Sequence, residues 1–140
     1  MDIHAKGFNG KAKERGARAM KPHKAVRLIL KDQAKEAYET LCKVVEEQKN
    51  KSKTNSEEMQ LLKSINNKIG ILKYNPAYGQ NIPKDQIPKT LDADNLFRVE
   101  LTRYWRMLYT IRTNEVEIVS FVLYIVDHPT YDKILGYKKR

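Results

Sequence analysis

The sequence predicts an α+β fold: an N-terminal strand, an antiparallel helix hairpin, then a three-stranded antiparallel meander completing a small twisted sheet, and a short C-terminal helix. Three observations predict it. Residues 25–31, AVRLILK, are a short apolar run rich in branched side chains. Apolar residues at helical spacing follow, in two stretches separated by a polar break. From residue 97 onward the period drops to two, the signature of strands.

In chain order, residues 25–31 form the first strand. Asp32 is the expected N-cap of a helix over residues 32–49, in which Ala34, Ala37, Tyr38, Leu41, Val44, Val45 and Gln48 recur at helical spacing. Cys42 falls in this pattern and is expected to be a buried structural thiol. The break NKSKTNS is short and polar, and the spacings Thr54 to Glu57 and Asn55 to Glu58 suit a capping box. A second helix begins there, with Met59, Leu62, Ile65, Ile69 and Leu72 on one face, and ends at Asn75-Pro76 with Gly79. Residues 76–95 hold three of the chain's prolines and read as an irregular surface connection, with Lys84, Asp85 and Lys89 as charged candidates.

The meander carries the chemistry. Phe97, Val99 and Leu101 alternate with Arg98 and Glu100; after a tight turn near Arg103, Trp105, Met107, Tyr109 and Ile111 alternate with Arg106, Leu108, Thr110 and Arg112. With the odd positions toward the helices, Arg98, Glu100 and Arg106 converge on the opposite face. Thr113-Asn114 marks the next hairpin turn. Residues 116–126 are so continuously apolar that both faces need cover, which predicts a central strand. Pro129 ends it, leaving His128 and Tyr131 just past the strand end. Basic, acidic and aromatic polar groups beside one small sheet suit the binding or cleavage of a phosphodiester. Each also has a structural alternative: Arg98 and Glu100 can pair with charges on a neighbouring strand, His128 can cap the strand, and Tyr131 can pack the C-terminal helix.

Composition bounds the function. The 140 residues fit one domain over residues 24–140, preceded by a flexible basic tail over residues 1–23. A hydrophobic content of 41% with 31% charged residues is globular. No apolar run approaches the roughly 20 residues of a membrane span, and residues 1–23 contain no apolar signal core, so the expected compartment is the cytoplasm. A net charge of +10 points to a polyanionic partner such as RNA, DNA or an acidic protein. The chain has no Gly-rich phosphate loop, zinc-ligand spacing or nucleophile motif, and its three histidines are scattered; neither cofactor nor metal is expected.

Over residues 25–140 the chain resembles the RelE/ParE superfamily of toxins from type II toxin-antitoxin pairs. The likeness lies in WRMLYTI at 105–111, similar to the family's Tyr-Arg-Leu-Val-Tyr strand, in the apolar strand EVEIVSFVLYIV, and in DHPTYDKI after it. RelE-like members are ribosome-dependent mRNA endonucleases that act without metal, and ParE-like members poison DNA gyrase. The resemblance implies a RelE-like fold, growth arrest through translation inhibition, mRNA on the ribosome as target, no membrane association, and an acidic antitoxin partner in a hetero-oligomer. A gyrase-directed toxin, or a basic RNA-binding member without catalysis, stays open as the alternative. By the resemblance Arg106 falls on the RNase strand arginine, Arg98 on a basic position of the preceding strand, Tyr131 on the C-terminal tyrosine and His128 on a histidine of some branches. Glu100 stands where the best-known branch has lysine, and Asp85 is the nearest match to a loop glutamate that serves as base in another branch. The implied roles are phosphate stabilisation by Arg106 and Arg98, acid by His128, base by Glu100 or Asp85, with His128 and Glu100 exchangeable, and orientation or base stacking by Tyr131. Lys84, Lys89, Arg103 and Arg112 are the expected further RNA contacts.

Overall fold

In a computed structural model of the chain, residues 24–137 are described in full, together with the backbone of residues 2–4. Six strands form one mixed sheet. They are β1 (Asp2–His4), β2 (Ala25–Leu30), β3 (Gln80–Asn81), β4 (Phe97–Glu100), β5 (Arg106–Thr113) and β6 (Glu117–Val126), in the order β1-β2-β6-β5-β4-β3. Strand β2 runs parallel to β6, and every other pairing is antiparallel. The helices among the described residues are α1 (Asp32–Asn50), α2 (Glu57–Tyr74) and α3 (His128–Leu135). The predicted α+β order of strand, two helices, meander and short C-terminal helix is the order observed.

Four local expectations are corrected. Residues 2–4 of the expected tail pair with β2 as an edge strand, because β2 offers an open edge that a three-residue segment can satisfy; the rest of that segment lies outside the described residues. Asp32 is the first helical residue of α1 rather than its cap. The capping position is Lys31, which gives no side-chain bond. For α2 the cap is Ser56, whose hydroxyl accepts from the Met59 N–H at 3.0 Å, and not Thr54 or Asn55. Tertiary contact selects it, since the same hydroxyl also donates to the Gln48 side chain on α1. Finally, Cys42 is half-buried on the α1 surface rather than fully enclosed.

The helices pair as the predicted antiparallel hairpin. Tyr38 donates to Asn66 Oδ1 at 2.8 Å, and Gln48 Nε2 donates to Glu58 Oε1 at 2.9 Å, so early residues of α1 meet late residues of α2. The buried stripe of α2 is Leu61, Ile65, Ile69 and Leu72, with Leu61 in the place expected for Leu62. Gln33 ties the start of α1 to the sheet. Its amide donates to the Ile125 carbonyl at 3.1 Å and accepts from the Ile125 N–H at 2.9 Å, continuing the β2 pairing of β6 past Leu30.

The sheet separates two cores. On the helix side, Leu28, Leu30, Val99, Leu101, Met107, Tyr109, Val122 and Ile125 pack against the α2 stripe, and Phe97, Trp105 and Ile111 join them; the odd positions of β4 and β5 face the helices as predicted. On the other side, Ile82, Leu96, Leu108 and Val126 pack against Tyr131 and Leu135 of α3. Strand β6 lies between β2 and β5 with buried residues on both faces, as its continuous apolar run requires.

Residues 76–95 are less irregular than expected. They contain β3, which adds an edge to β4, and two short 3₁₀ turns at Pro76–Tyr78 and Lys84–Gln86. Buried Tyr109 anchors this segment: its hydroxyl donates to the Pro76 carbonyl at 2.6 Å and accepts from the Gly79 N–H at 2.9 Å. Gly79 is required by that approach, since a Cβ there would stand 2.8 Å from the Tyr109 hydroxyl. Burial raises the pKa of that hydroxyl, against a smaller opposing effect of the Gly79 hydrogen bond. No helix among the described residues is long and apolar enough to cross a membrane.

Candidate active site

Strand register brings the predicted residues together. Glu100 pairs with Arg106 across β4 and β5, and Arg106 pairs with Val126 at the end of β6; in the next row Arg98, Leu108 and Tyr124 are aligned. Since side chains alternate along a strand, Arg98, Glu100 and Arg106 share the face turned from the helices. Just past Val126 the chain enters α3, and this turn delivers Tyr131 onto that face.

The turn has a clear local cause. Asp127 is the N-cap, its carboxylate accepting from the Thr130 N–H at 3.0 Å, and Pro129 sits in the first turn where a missing N–H leaves no bond unmade. Gly136 closes the helix at φ +79°, a left-handed cap that glycine adopts without strain. The Thr130 hydrogen bonds, with a smaller contribution from His128, hold the Asp127 carboxyl below the usual aspartate range. A depressed carboxylate pKa means the capping contribution is present above the unfolded pKa and is lost as pH falls through the folded one. Asp127→Asn is therefore expected to keep the cap at neutral pH but flatten the acid limb of stability, whereas Asp127→Ala lowers stability by about 1 kcal/mol at neutral pH. Urea titrations from neutral to acid pH check both.

Tyr131, only 2% exposed, is the hub of the site. Its hydroxyl accepts from Arg98 Nη1 at 3.2 Å, and its ring lies 5.8 Å from the Arg98 guanidinium carbon and 5.5 Å from that of Arg106. Gln80 of β3 accepts from Arg98 Nη2. The Glu100 carboxylate stands 3.9 Å from Arg98, on a side chain that is 64% exposed. Arg106 donates through Nη1 to the Trp105 carbonyl at 3.4 Å. The Nε atoms of Arg98 and Arg106 are both buried without a hydrogen-bond partner among the described residues. Among Arg98, Arg106 and Glu100 the charge balance is positive, and solvent weakens the compensation that the exposed carboxylate gives.

His128, at the start of α3, pairs with Asp132 one turn on, Nε2 to Oδ2 at 3.4 Å. The imidazole thus sits at the exposed start of α3, three residues before Tyr131, with Asp132 as its partner. Tyr137 packs edge-on against Tyr131, with ring centroids 6.1 Å apart, and its hydroxyl donates to Gln86 Oε1 at 3.5 Å. Burial, reinforced by the Tyr131 hydroxyl and opposed by Arg98, raises the pKa of Tyr137.

Other predicted residues make no hydrogen bond or ion pair with this cluster among the described residues. Asp85, Lys84 and Lys89 are exposed on the 76–95 segment, and Asp85 makes no hydrogen bond or ion pair among the described residues. Arg103, at the β4–β5 turn, pairs with Glu57 of α2 at 3.7 Å. Arg112 is at the far end of β5. Three residues of the site had not been anticipated. Asp132 was legible from its i,i+4 relation to His128, but Gln80 and Tyr137 have no periodic signal and reach the cluster only through folding. Among the described residues no three His, Cys, Asp or Glu side chains cluster as metal ligands.

Comparison with known protein families, with curated proteins and with solved structures returns no match.

Proposed function

We propose that the chain is the toxin component of a toxin-antitoxin pair of the RelE-like kind: a metal-independent, ribosome-dependent mRNA endonuclease that inhibits translation in the cytoplasm. A cognate acidic antitoxin neutralises it by covering its basic surface in a hetero-oligomer. The observation that carries this reading is the stack of Arg98 and Arg106 on Tyr131, two guanidinium forks against one exposed carboxylate. An anion with two adjacent oxygens completes such a site, and the phosphodiester of RNA is one.

In this mechanism Glu100 takes the proton of the 2′-hydroxyl, and the 2′-oxygen attacks phosphorus. The bond from phosphorus to the 5′-oxygen breaks, and His128 gives that oxygen its proton. The products are a 2′,3′-cyclic phosphate and a 5′-hydroxyl. Arg98 and Arg106 balance the charge that builds on the phosphate oxygens. Glu100 is favoured over Asp85 as base because it lies beside Arg98 and opposite Arg106, while Asp85 is on a separate turn. Asp132 is a positioning residue for the imidazole.

Primer extension on mRNA from cells induced to express the protein tests the reading. Cuts in frame within translated regions are expected. Intact mRNA with inhibition of gyrase supercoiling would replace it with a gyrase-directed toxin, and RNA binding with neither activity would leave a non-catalytic member.

A further inference from the structure

The sheet face that carries Arg106 continues, beyond Leu108, into a groove of about 400 Å³, within the roughly 300–1,000 Å³ of small-molecule sites. Its floor is Phe121, Leu123 and Tyr124 of β6. A β-bulge creates that floor. Leu108 pairs with Tyr124 but Tyr109 pairs with Val122, so Leu123 is an extra residue, and both Val122 and Ile125 enter the helix-side core. Strict alternation would have sent Tyr124 to the face opposite Phe121; the bulge brings both rings to one groove. Cations line it: Lys31 Nζ lies over the Phe121 ring, 5.5 Å from its centre, and Arg112 extends the β5 series that begins with Arg106. Asp32 and Asp92 also line it. Arg106 and Arg112 are six residues apart on β5, roughly 20 Å along an extended strand, a distance that a few nucleotides span.

We propose that this groove seats one nucleotide of the RNA strand whose scissile phosphate lies at Arg98 and Arg106, an inference that rests on the RNase reading. The base stacks on Phe121 and Tyr124, as bases of single-stranded RNA do on aromatic side chains. Arg112 and Lys31 meet the flanking phosphates, Lys31 swinging off the Phe121 ring toward a phosphate when the base takes that face. Asp32 and Asp92 accept hydrogen bonds from the exocyclic amino groups of adenine, cytosine or guanine, which uracil lacks. The groove therefore selects sequence next to the cut and does no chemistry itself.

The test measures binding of the full chain to 2′-O-methyl hexanucleotides of each base, which lack the attacking hydroxyl, with polyphosphate as an anion without bases. Phe121→Leu and Arg112→Gln are each expected to weaken hexanucleotide binding about tenfold, with the uracil oligomer the weakest on the wild type. On ribosome-bound mRNA the same variants raise KM and leave kcat in place. Arg112 is on the surface, so its variant keeps the fold even if Phe121→Leu does not. Unchanged affinity in Arg112→Gln overturns the groove while wild-type cleavage keeps the RNase reading alive. Equal weakening for polyphosphate overturns it as well, since the groove is then only an anion patch. Base-dependent binding lost in the variants, in a protein that never cuts mRNA, upholds the groove and removes the RNase reading.

Discussion

Arg106→Ala is expected to reduce mRNA cleavage about 10²–10³-fold, the loss typical of removing one preorganised charge-stabilising donor, and to relieve growth arrest on expression. The reason is local. Arg106 has one weak side-chain hydrogen bond, to the Trp105 carbonyl, so its guanidinium is held chiefly by the Tyr131 ring and remains available to an anion. Arg106→Lys is expected to recover little, because an ammonium is a point charge without the planar fork. His128→Ala is expected to reduce cleavage by about 10²–10⁴-fold if the imidazole is the acid. His128 is exposed, and its one ion pair among the described residues is with Asp132, so this variant keeps its fold. Circular dichroism alongside the cleavage assay separates lost chemistry from lost structure. Full toxicity of both Arg106→Ala and His128→Ala would remove the proposed mechanism.

Tyr131→Ala is expected to lower stability by about 3–5 kcal/mol, the range for truncating a large buried aromatic. The ring fills the second core with Leu108, Val126 and Leu135, and it is also the surface on which both arginines rest. Tyr131→Phe separates these functions. The ring and its packing stay, the hydroxyl's bond from Arg98 Nη1 and its interaction with Tyr137 are lost, and the expected change in stability is about 1 kcal/mol. Cleavage by Tyr131→Phe should fall further than its stability does, as Arg98 loses one of the acceptors that orient it, with Gln80 and Glu100 remaining. Urea denaturation with single-turnover cleavage distinguishes them; wild-type stability in Tyr131→Ala would show that α3 docks without this anchor.

Much of this arrangement was legible in the residues. Two-residue alternation in β4 and β5 placed Arg98, Glu100 and Arg106 on one face, because the period of a strand leaves no other choice. Helical spacing identified α1 and α2, and their short polar link implied a hairpin. The helix cap at Ser56 was not legible. Several Ser, Thr and Asn residues in that link have capping chemistry, and contact with Gln48 on the other helix chose among them. Gln80 and Tyr137 were hidden because neither belongs to a periodic segment: Gln80 reaches Arg98 by strand pairing, and Tyr137 reaches Tyr131 by the turn that closes α3.

The sequence by itself determined the element order, the sheet face that carries the charges and the central position of β6. These follow from local periodicity, which depends only on near neighbours. Tertiary structure decided three other things. It set both guanidinium groups against Tyr131, it gave Asp85 no ion pair with either, and it used the bulge at Leu123 to turn Tyr124 into the groove beside Phe121. Each depends on the packing of segments far apart in the chain, and a bulge in particular satisfies the needs of two cores at once, which no single strand pattern records.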